Sequence, residues 1–242
     1  MHYLYLKKGY RHLGSVTALS PSWLRVLPSI FLTIGCFLVA SATVPILYYQ
    51  FFFSPRFTTI AKPIAENVSQ AVSAKQEDVL GQETSLDMTQ ASNWFVQAPR
   101  FQPKPSKITH YTISIPRLEI KDAVVEIGGE DLKKSLVQYP GTALPGQLGN
   151  AVIFGHSSLP QFFNKDNYKT IFSTLPTLKK QDKITVDFDG VFYSYVVEEI
   201  KEVGSDDISV LGQYYDDSYV SLITCVPPGT YLRRLVIKAR LI

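Results

Sequence analysis

The sequence predicts a mainly β domain, a barrel or a sandwich, that follows a single transmembrane helix. From Ile108 onward, short β-branched and aromatic runs alternate with Gly, Pro, Asn and Asp, which is the pattern of an all-β domain. Between Arg25 and Arg56 no residue is charged, and this apolar stretch is longer than the roughly 20 residues that cross a bilayer. A hydrophobic fraction of 45% with 19% charged residues excludes a disordered or collagen-like chain.

Charge is unevenly distributed along the chain. Residues 1–65 carry six Lys or Arg and no Asp or Glu, which leaves 18 basic against 21 acidic residues in the rest. A basic end beside an apolar segment is typical of membrane topology, whereas a nucleic-acid-binding protein spreads its cations over a folded face. We therefore expect a lipid bilayer as a partner, and no nucleic acid.

The membrane anchor is expected at residues 26–55, with residues 1–25 in the cytoplasm and the rest of the chain outside. Four cations precede the span and two follow it closely, so the positive-inside bias gives this orientation. Two alternatives stay open, namely signal-peptidase cleavage at Ala40-Ser41-Ala42 and lipidation at Cys36. The apolar run continues to Phe53, beyond the roughly 7 to 15 residues of a signal peptide's apolar region, which favours an uncleaved anchor.

We expect residues 56–106 to form an extracytoplasmic stalk or linker, because they are poor in aromatic residues and rich in Ser, Gln, Ala, Thr, Glu and Pro. Within this segment, residues 61–82 could form a helix or remain a loosely helical or disordered spacer. Pro103 and Pro105 mark the boundary of the folded domain, which we place at residues 107–242.

Seven runs in the folded domain predict strands, and Asp189-Gly190 between two of them predicts a tight hairpin turn. Helical stretches are expected at residues 130–137 and, more loosely, around residues 168–178. The predicted strands are YTISIPRL, DAVVEIGG, NAVIFGHS, DKITVDFDG, VFYSYVVEEIKEVG, YVSLITCV and RRLVIKARLI.

The two cysteines cannot pair, because Cys36 lies in the membrane span and Cys225 in the exported domain. A lone thiol in an oxidising compartment is either a small buried hydrophobe or a chemically useful group. Cys225 stands where a β-run is stopped by Pro227-Pro228-Gly229, and strand ends beside loops hold reactive groups rigidly. It is the first candidate for a nucleophile.

A cysteine nucleophile needs a base or a nearby cation. The domain holds two histidines, His156 at the polar exit of a buried strand and His110 early in the first strand. Either could be structural or could serve as acid and base. Arg233 and Arg234 follow Cys225 across the Pro-Gly turn, where a guanidinium could stabilise an oxyanion or form a solvated strand edge.

Residues 108–242 resemble the sortases, the membrane-anchored cysteine transpeptidases of bacterial cell surfaces. The matching motifs are the Leu-Ile-Thr-Cys run that ends at Cys225, the Arg nine residues later followed by Leu, Gly155-His156 after a Gly-Asn-aliphatic strand, and the loop at residues 139–146. The resemblance implies a closed eight-stranded β-barrel with one or two short helices. It also implies that Cys225 is the nucleophile, His156 the acid/base and Arg234 the transition-state or substrate stabiliser.

The resemblance leads to further expectations about the reaction. A Leu-Pro-x-Thr-Gly-like sorting signal near the C-terminus of a secreted protein would be cleaved through a thioacyl-enzyme. The acyl group would pass to an amine of a peptidoglycan precursor or a pilin, and the hydroxyl of Thr224 would shape the substrate site. The stretch before Ile108 could dock across the site as a lid, with Trp94 and Phe95 as apolar anchors.

Neither a cofactor nor a metal is expected, and the alternative is a calcium site that recruits Asp187 with Asp189 or Asp206 with Asp207. A non-catalytic, membrane-tethered β-domain that binds a cell-surface component is the alternative function. Other thiol enzymes fit less well. L,D-transpeptidases carry a His-Gly-Cys type of signature, and papain-like enzymes place the cysteine before the histidine, the reverse of the order here.

Overall fold

The computed structural model describes residues 22–59, 87–95, 98 and 107–242. The chain divides into two compact units at Ser41 and Ala42. The expected cytoplasmic N-terminus, up to residue 21, and the expected helix or spacer at residues 61–82 lie outside the described residues.

Helix α1, Ser22–Tyr48, forms the described part of the first unit and continues into the second. Between Val26 and Ser41 nearly all of its side chains are exposed, with Phe31 67% and Phe37 73% accessible. A helix that is apolar on all sides is suited to lipid surroundings. It is the one helix among the described residues that is long and apolar enough to cross a membrane, and it fits a single-pass anchor.

Nine strands are found in the described part of the second unit. They are β1 (Thr58–Thr59), β2 (His110–Ile115), β3 (Ile120–Ile127), β4 (Leu136–Gln138), β5 (Gly149–Phe154), β6 (Lys183–Phe188), β7 (Val191–Gly204), β8 (Ser218–Val226) and β9 (Arg233–Leu241). The sheet runs β1-β7-β6-β2-β3-β4-β5-β8-β9, and pairing of β9 with β7 closes strands β2–β9 into a barrel. The predicted mainly β fold and its closed eight-stranded barrel are confirmed.

All seven predicted strands are present, but the helix predicted at residues 130–137 is wrong. The Asp131 carboxylate accepts the backbone N–H of Lys133 at 3.0 Å and closes a turn, and strand β4 follows. Leu136 and Val137 are both fully buried, and they pack into different apolar clusters because neighbouring side chains of a strand face opposite sides. Around residues 168–178 the chain forms turns and one 3₁₀ turn, Leu175–Thr177.

The chain that leaves helix α1 packs against the interior of the barrel. A π-helical turn, Tyr49–Phe53, and a 3₁₀ turn, Ser54–Arg56, lead into β1, which pairs in parallel with β7. Tyr49 and Phe57 are 3% and 8% exposed and belong to the same apolar cluster as the inward-facing strand residues. We call residues 49–57 the plug. Tyr49, which we expected in the membrane anchor, and Phe57, which we expected in a stalk, are therefore packed into the barrel.

The plug is tied to the barrel by a buried carboxylate. Glu202 of β7 is 2% exposed, and its Oε2 accepts the Tyr49 hydroxyl at 3.0 Å. Its Oε1 lies 2.9 Å from Nε of Arg233 on β9. A buried charge is tolerated where a counter-charge and hydrogen bonds satisfy it, and Glu202 has both.

We predict that Glu202→Ala lowers the free energy of unfolding by about 2–4 kcal/mol, because it leaves the buried Tyr49 hydroxyl and the Arg233 guanidinium without their partner. The measurement is thermal unfolding of the full chain in detergent. Glu199→Ala is the matched control, since Glu199 is 41% exposed and its pair with Lys201 is 3.9 Å long, and we expect a change within about 0.5 kcal/mol. Equal effects of the two substitutions would contradict a role for the plug contact.

Candidate active site

The pairing of three strands brings Cys225, His156 and Arg234 together. Cys225 and Arg234 are directly opposite each other in the antiparallel pair β8–β9. Strand β5 runs parallel to β8 on its other side, and the register continues past its end, where the N–H of Gly155 donates to the carbonyl of Ile223 at 3.1 Å. His156 follows directly and therefore lies beside Cys225.

Two side-chain hydrogen bonds hold the residues on either side of His156 against β8. The Thr224 hydroxyl donates to the Gly155 carbonyl at 2.8 Å, and the Ser157 hydroxyl donates to the Cys225 carbonyl at 2.6 Å. Together they fix the backbone on both sides of the histidine.

The position of Thr224 does not match the substrate contact that we expected. Thr224 is fully buried and next to Cys225 in the strand, so its side chain faces the barrel interior while the Cys225 thiol faces outward. Its hydroxyl is already bonded to Gly155, so it positions the histidine segment. Ser157 was not among the expected site residues, and the signal for it in the sequence is a hydroxyl residue directly after His156.

Arg234 is 1% exposed and is held by backbone carbonyls and aromatic rings. Its Nη1 donates to Tyr231 at 3.1 Å and its Nη2 to Trp94 at 3.3 Å. The guanidinium carbon lies 5.2 Å from the centre of the Trp94 ring and 5.9 Å from that of Phe95. No carboxylate of the described residues pairs with Arg234, and its Nε has no hydrogen-bond partner among them.

The two neighbouring arginines are distinguished by the side of β9 that they face. Arg233 is bound to Glu202 on the side of the plug, whereas Arg234 faces Cys225 and the aromatic rings. Of the two candidates from the sequence, only Arg234 lies in the site. His110 does not join it, because it is exposed at the start of β2 with its Nδ1 2.8 Å from the Thr109 hydroxyl.

A segment before the barrel covers the three residues, and we call this segment, residues 87–95, the lid. Trp94 is 1% exposed, stacks on Phe154 at 5.3 Å between ring centres and meets the His156 ring edge-on at 6.0 Å. Its Nε1 donates to the Met88 carbonyl at 2.8 Å. Phe95 is 3% exposed and tilted against Phe154. The expected docking of Trp94 and Phe95 as apolar anchors is confirmed.

Backbone hydrogen bonds attach the lid to the connection between β3 and β4. The N–H of Ala91 donates to the carbonyl of Glu130 at 2.9 Å, and the N–H of Ser92 to its carboxylate at 3.0 Å. In return, the N–H of Leu132 donates to the Thr89 carbonyl at 3.0 Å. The lid is thus held by polar contacts on one side and by apolar packing over the site on the other.

Burial under the lid favours the neutral forms of the thiol and the imidazole. It raises the pKa of Cys225 to about 11, and the nearby Arg234 charge offsets only part of this rise. Burial also lowers the pKa of His156, against the opposing pull of the Asp87 and Asp131 carboxylates. At neutral pH the covered site therefore holds a protonated thiol beside an uncharged histidine, whose Nε2 has no hydrogen-bond partner among the described residues.

The acidic residues considered for calcium are dispersed. Asp187 lies in β6 and Asp189 in the hairpin turn, while the Asp207 carboxylate accepts the N–H of Ser209 at 3.1 Å. Within the described part of the chain, no three His, Cys, Asp or Glu side chains are grouped so that they could hold a metal ion.

Comparison with known proteins relates the folded domain to one family. A family model described as the sortase domain matches residues 113–242. The chain is similar to sortase D of Bacillus subtilis (strain 168), with 24% identity over 63% of this chain and 69% of that protein. It is also similar to sortase A of Bacillus anthracis, with 29% identity over 54% of this chain and 58% of that protein.

The structure is also similar to solved sortase structures. A sortase D5 transpeptidase from Clostridium perfringens matches with a TM-score of 0.48 and 24% identity, over 58% of this chain and 82% of that one. A lid mutant of sortase A from Corynebacterium diphtheriae matches with a TM-score of 0.49 and 27% identity, over 57% of this chain and 73% of that one.

We predict that Trp94→Ala raises the rate of Cys225 alkylation by iodoacetamide at pH 8 at least about tenfold. Removing the ring admits water and reagent, so the pKa of the thiol falls from about 11 towards its ordinary value and the thiolate fraction grows. Alkylation rate against pH, followed by mass spectrometry, measures both changes. Phe192→Ala removes a 72% exposed ring in the β6–β7 hairpin and is the control. An unchanged profile in Trp94→Ala would show that the lid does not control the thiol.

Proposed function

The chain belongs to the sortase family, whose members are cysteine transpeptidases, and on that premise we propose the reaction it carries out. It cleaves a Leu-Pro-x-Thr-Gly-like sorting signal near the C-terminus of secreted proteins and transfers the acyl group to an amine of a peptidoglycan precursor or a pilin. The observation that carries this proposal is that Cys225 lies opposite Arg234 in the pairing of β8 with β9, with His156 beside the thiol just after the end of β5. We place the N-terminus in the cytoplasm and the barrel on the outer face of the cell membrane.

Acylation follows from the chemistry of these three side chains. The Cys225 sulfur attacks the carbonyl carbon of the threonine, and the proton of the thiol passes to His156. The C–N bond then breaks, the C–S bond remains as a thioester, and His156 gives its proton to the leaving amine. The Arg234 guanidinium, held without a carboxylate partner, donates to the oxyanion that develops in the transition state.

Transfer reverses these roles with a second amine. The incoming amine attacks the thioester and loses a proton to His156, an amide bond forms, and the thiolate of Cys225 leaves and is reprotonated. Water in place of the amine gives hydrolysis as the side reaction. No step requires a group beyond these side chains and the two substrates.

The lid has to move before a peptide can reach the thiol. Cys225 is 1% exposed, and the Trp94 ring and carbonyl occupy the space around Arg234. Because a thiol with a pKa near 11 is almost fully protonated at neutral pH, Cys225 is also a poor nucleophile while the site is covered. Lid opening therefore precedes acylation and makes both the nucleophile and the guanidinium available.

A non-catalytic binding domain is the second candidate, and the burial of Cys225 is the observation that favours it. Such a domain would keep its thiol inert in every state of the lid. Among the described residues, Nε2 of His156 and Nε of Arg234 have no hydrogen-bond partner. This favours the enzyme, because buried polar atoms without partners are costly and are retained where a substrate satisfies them.

We predict that the full chain in detergent forms a thioacyl adduct and an aminolysis product with a Leu-Pro-x-Thr-Gly peptide library and an added amine. Mass spectrometry detects both species, and Trp94→Ala should form them faster than the unsubstituted chain. Cys225→Ala is the control and should form neither. A chain whose Cys225 alkylates readily in Trp94→Ala, yet yields no acyl adduct with any peptide, would contradict the proposed substrate class.

We also predict that Arg234→Ala mainly lowers kcat, whereas Arg233→Ala mainly lowers the Tm. Arg234→Ala should lower kcat for peptide cleavage by about 10²–10³-fold with the fold intact, since it removes an oxyanion donor. Arg233→Ala should cost less than about tenfold in kcat and should mainly lower the Tm, since it leaves the Glu202 carboxylate without its counter-charge. Peptide-cleavage kinetics and thermal unfolding of both variants separate the two roles. Equal losses of kcat would refute the assignment of Arg234.

A further inference from the structure

Two adjoining cavities lie beside the point where the chain leaves helix α1. The first is an apolar groove of about 340 Å³, and the second is a basic pocket of about 580 Å³. They share three lining residues, Phe53, Pro176 and Thr177. A single ligand can therefore occupy both.

The apolar groove is lined largely by carbon, from aromatic, proline and valine side chains. Its walls include Val44, Pro45 and Tyr48, which belong to the last turns of α1. The groove is thus continuous with the apolar surface of the helix that fits a membrane anchor. A hydrocarbon chain from the bilayer matches such a lining, since it brings no polar group that would need a partner.

The basic pocket contains four cations and no carboxylate among its lining residues. The cations are Arg56, Arg117, Lys179 and Lys180. In the described part of the chain none of them forms an ion pair, and the Arg56 guanidinium lies 5.6 Å from the centre of the Phe53 ring. The nearby Asp182 carboxylate accepts the backbone N–H of Lys179 at 2.7 Å and does not line the pocket. This charge arrangement suits an anionic headgroup.

We propose that these cavities form a binding site for one anionic phospholipid, with an acyl chain in the groove and the phosphate headgroup in the basic pocket. A free phosphate would leave the groove without an occupant, and a neutral lipid would leave the cations without a counter-charge. Clusters of Lys and Arg beside a membrane helix bind anionic headgroups through this attraction. The site goes beyond the proposed transpeptidation and does not depend on it.

The groove also connects the lipid to the loops of the active site. Pro228, in its wall, follows Cys225 by three residues, which limits the Cα separation to about 11 Å. Pro160, also in the wall, follows His156 by four residues, a span of at most about 14 Å. A bound lipid would therefore contact the loops that follow both residues.

The test uses the full chain in nanodiscs of mixed phosphatidylglycerol and phosphatidylcholine, released for native mass spectrometry. We expect one phosphatidylglycerol to be retained in preference to phosphatidylcholine. The double variant Lys179→Gln, Lys180→Gln should weaken this retention roughly thirtyfold, since it removes two of the cations. Lys107→Gln with Lys134→Gln, two exposed lysines elsewhere on the barrel, is the charge-matched control and should leave retention unchanged.

A second variant tests the groove without changing charge. Thr177→Trp puts a bulky side chain on the wall shared by the two cavities, and it should abolish photolabelling of residues 160–177 by phosphatidylglycerol with a diazirine in its acyl chain. Labelling confined to α1 in the unsubstituted chain would overturn the proposal. Equal retention of both lipids, or displacement of the lipid by millimolar inorganic phosphate, would also overturn it.

Discussion

The parallel pairing of β5 with β8 is the contact on which the site depends. It places His156 beside Cys225, and the antiparallel pairing of β8 with β9 then places Arg234 on the other side of the thiol. Successive residues of a strand face opposite sides, so a slip of one residue would turn Cys225 into the barrel interior and bring Thr224 to the surface. The Thr224 and Ser157 hydroxyls bond across this pair and resist such a slip. The packed interior thus positions a site that lies on the outer face of the barrel.

Covering that site changes its chemistry as well as its access. The Trp94 ring packs against the imidazole and shares an apolar cluster with Cys225, and burial makes the thiol and the imidazole favour their uncharged forms. The Arg234 guanidinium stays protonated even when buried, and it is held by backbone carbonyls and by the Trp94 ring. In the proposed reaction, substrate would take the place of the Trp94 carbonyl and ring beside Arg234. A neutral carbonyl and a ring would then be exchanged for a developing negative charge, which a guanidinium binds more strongly.

The elements that could be predicted from the sequence are those that leave local patterns. β-Branched runs indicate the long strands, and Cys225 stands out as the thiol outside the membrane span. Strand β4 could not be predicted, because three buried residues carry too little pattern and its neighbours β3 and β5 decide its conformation. The role of Thr224 depends on Gly155, 69 residues away, and on which face of the barrel is outside. Distant contacts also decide between Arg233 and Arg234, because Arg234 meets Trp94, 140 residues away, and Arg233 is bound to Glu202, which accepts the hydroxyl of Tyr49.

The plug and the lid contact neighbouring residues of the same strands. On β9, Arg233 is bound through Glu202 to Tyr49 of the plug, and the next residue, Arg234, lies under the lid. Strand β7 shows the same arrangement, because Glu202 faces the plug while the residue after it joins the apolar cluster beneath the lid. The plug and the lid therefore contact opposite sides of the same two strands. A fragment that starts at residue 107 lacks both segments, so we expect its thiol to be uncovered and Glu202 to be without the Tyr49 hydroxyl. The kinetics of such a fragment would then describe an open barrel, with a stability and a thiol reactivity that differ from those of the whole chain.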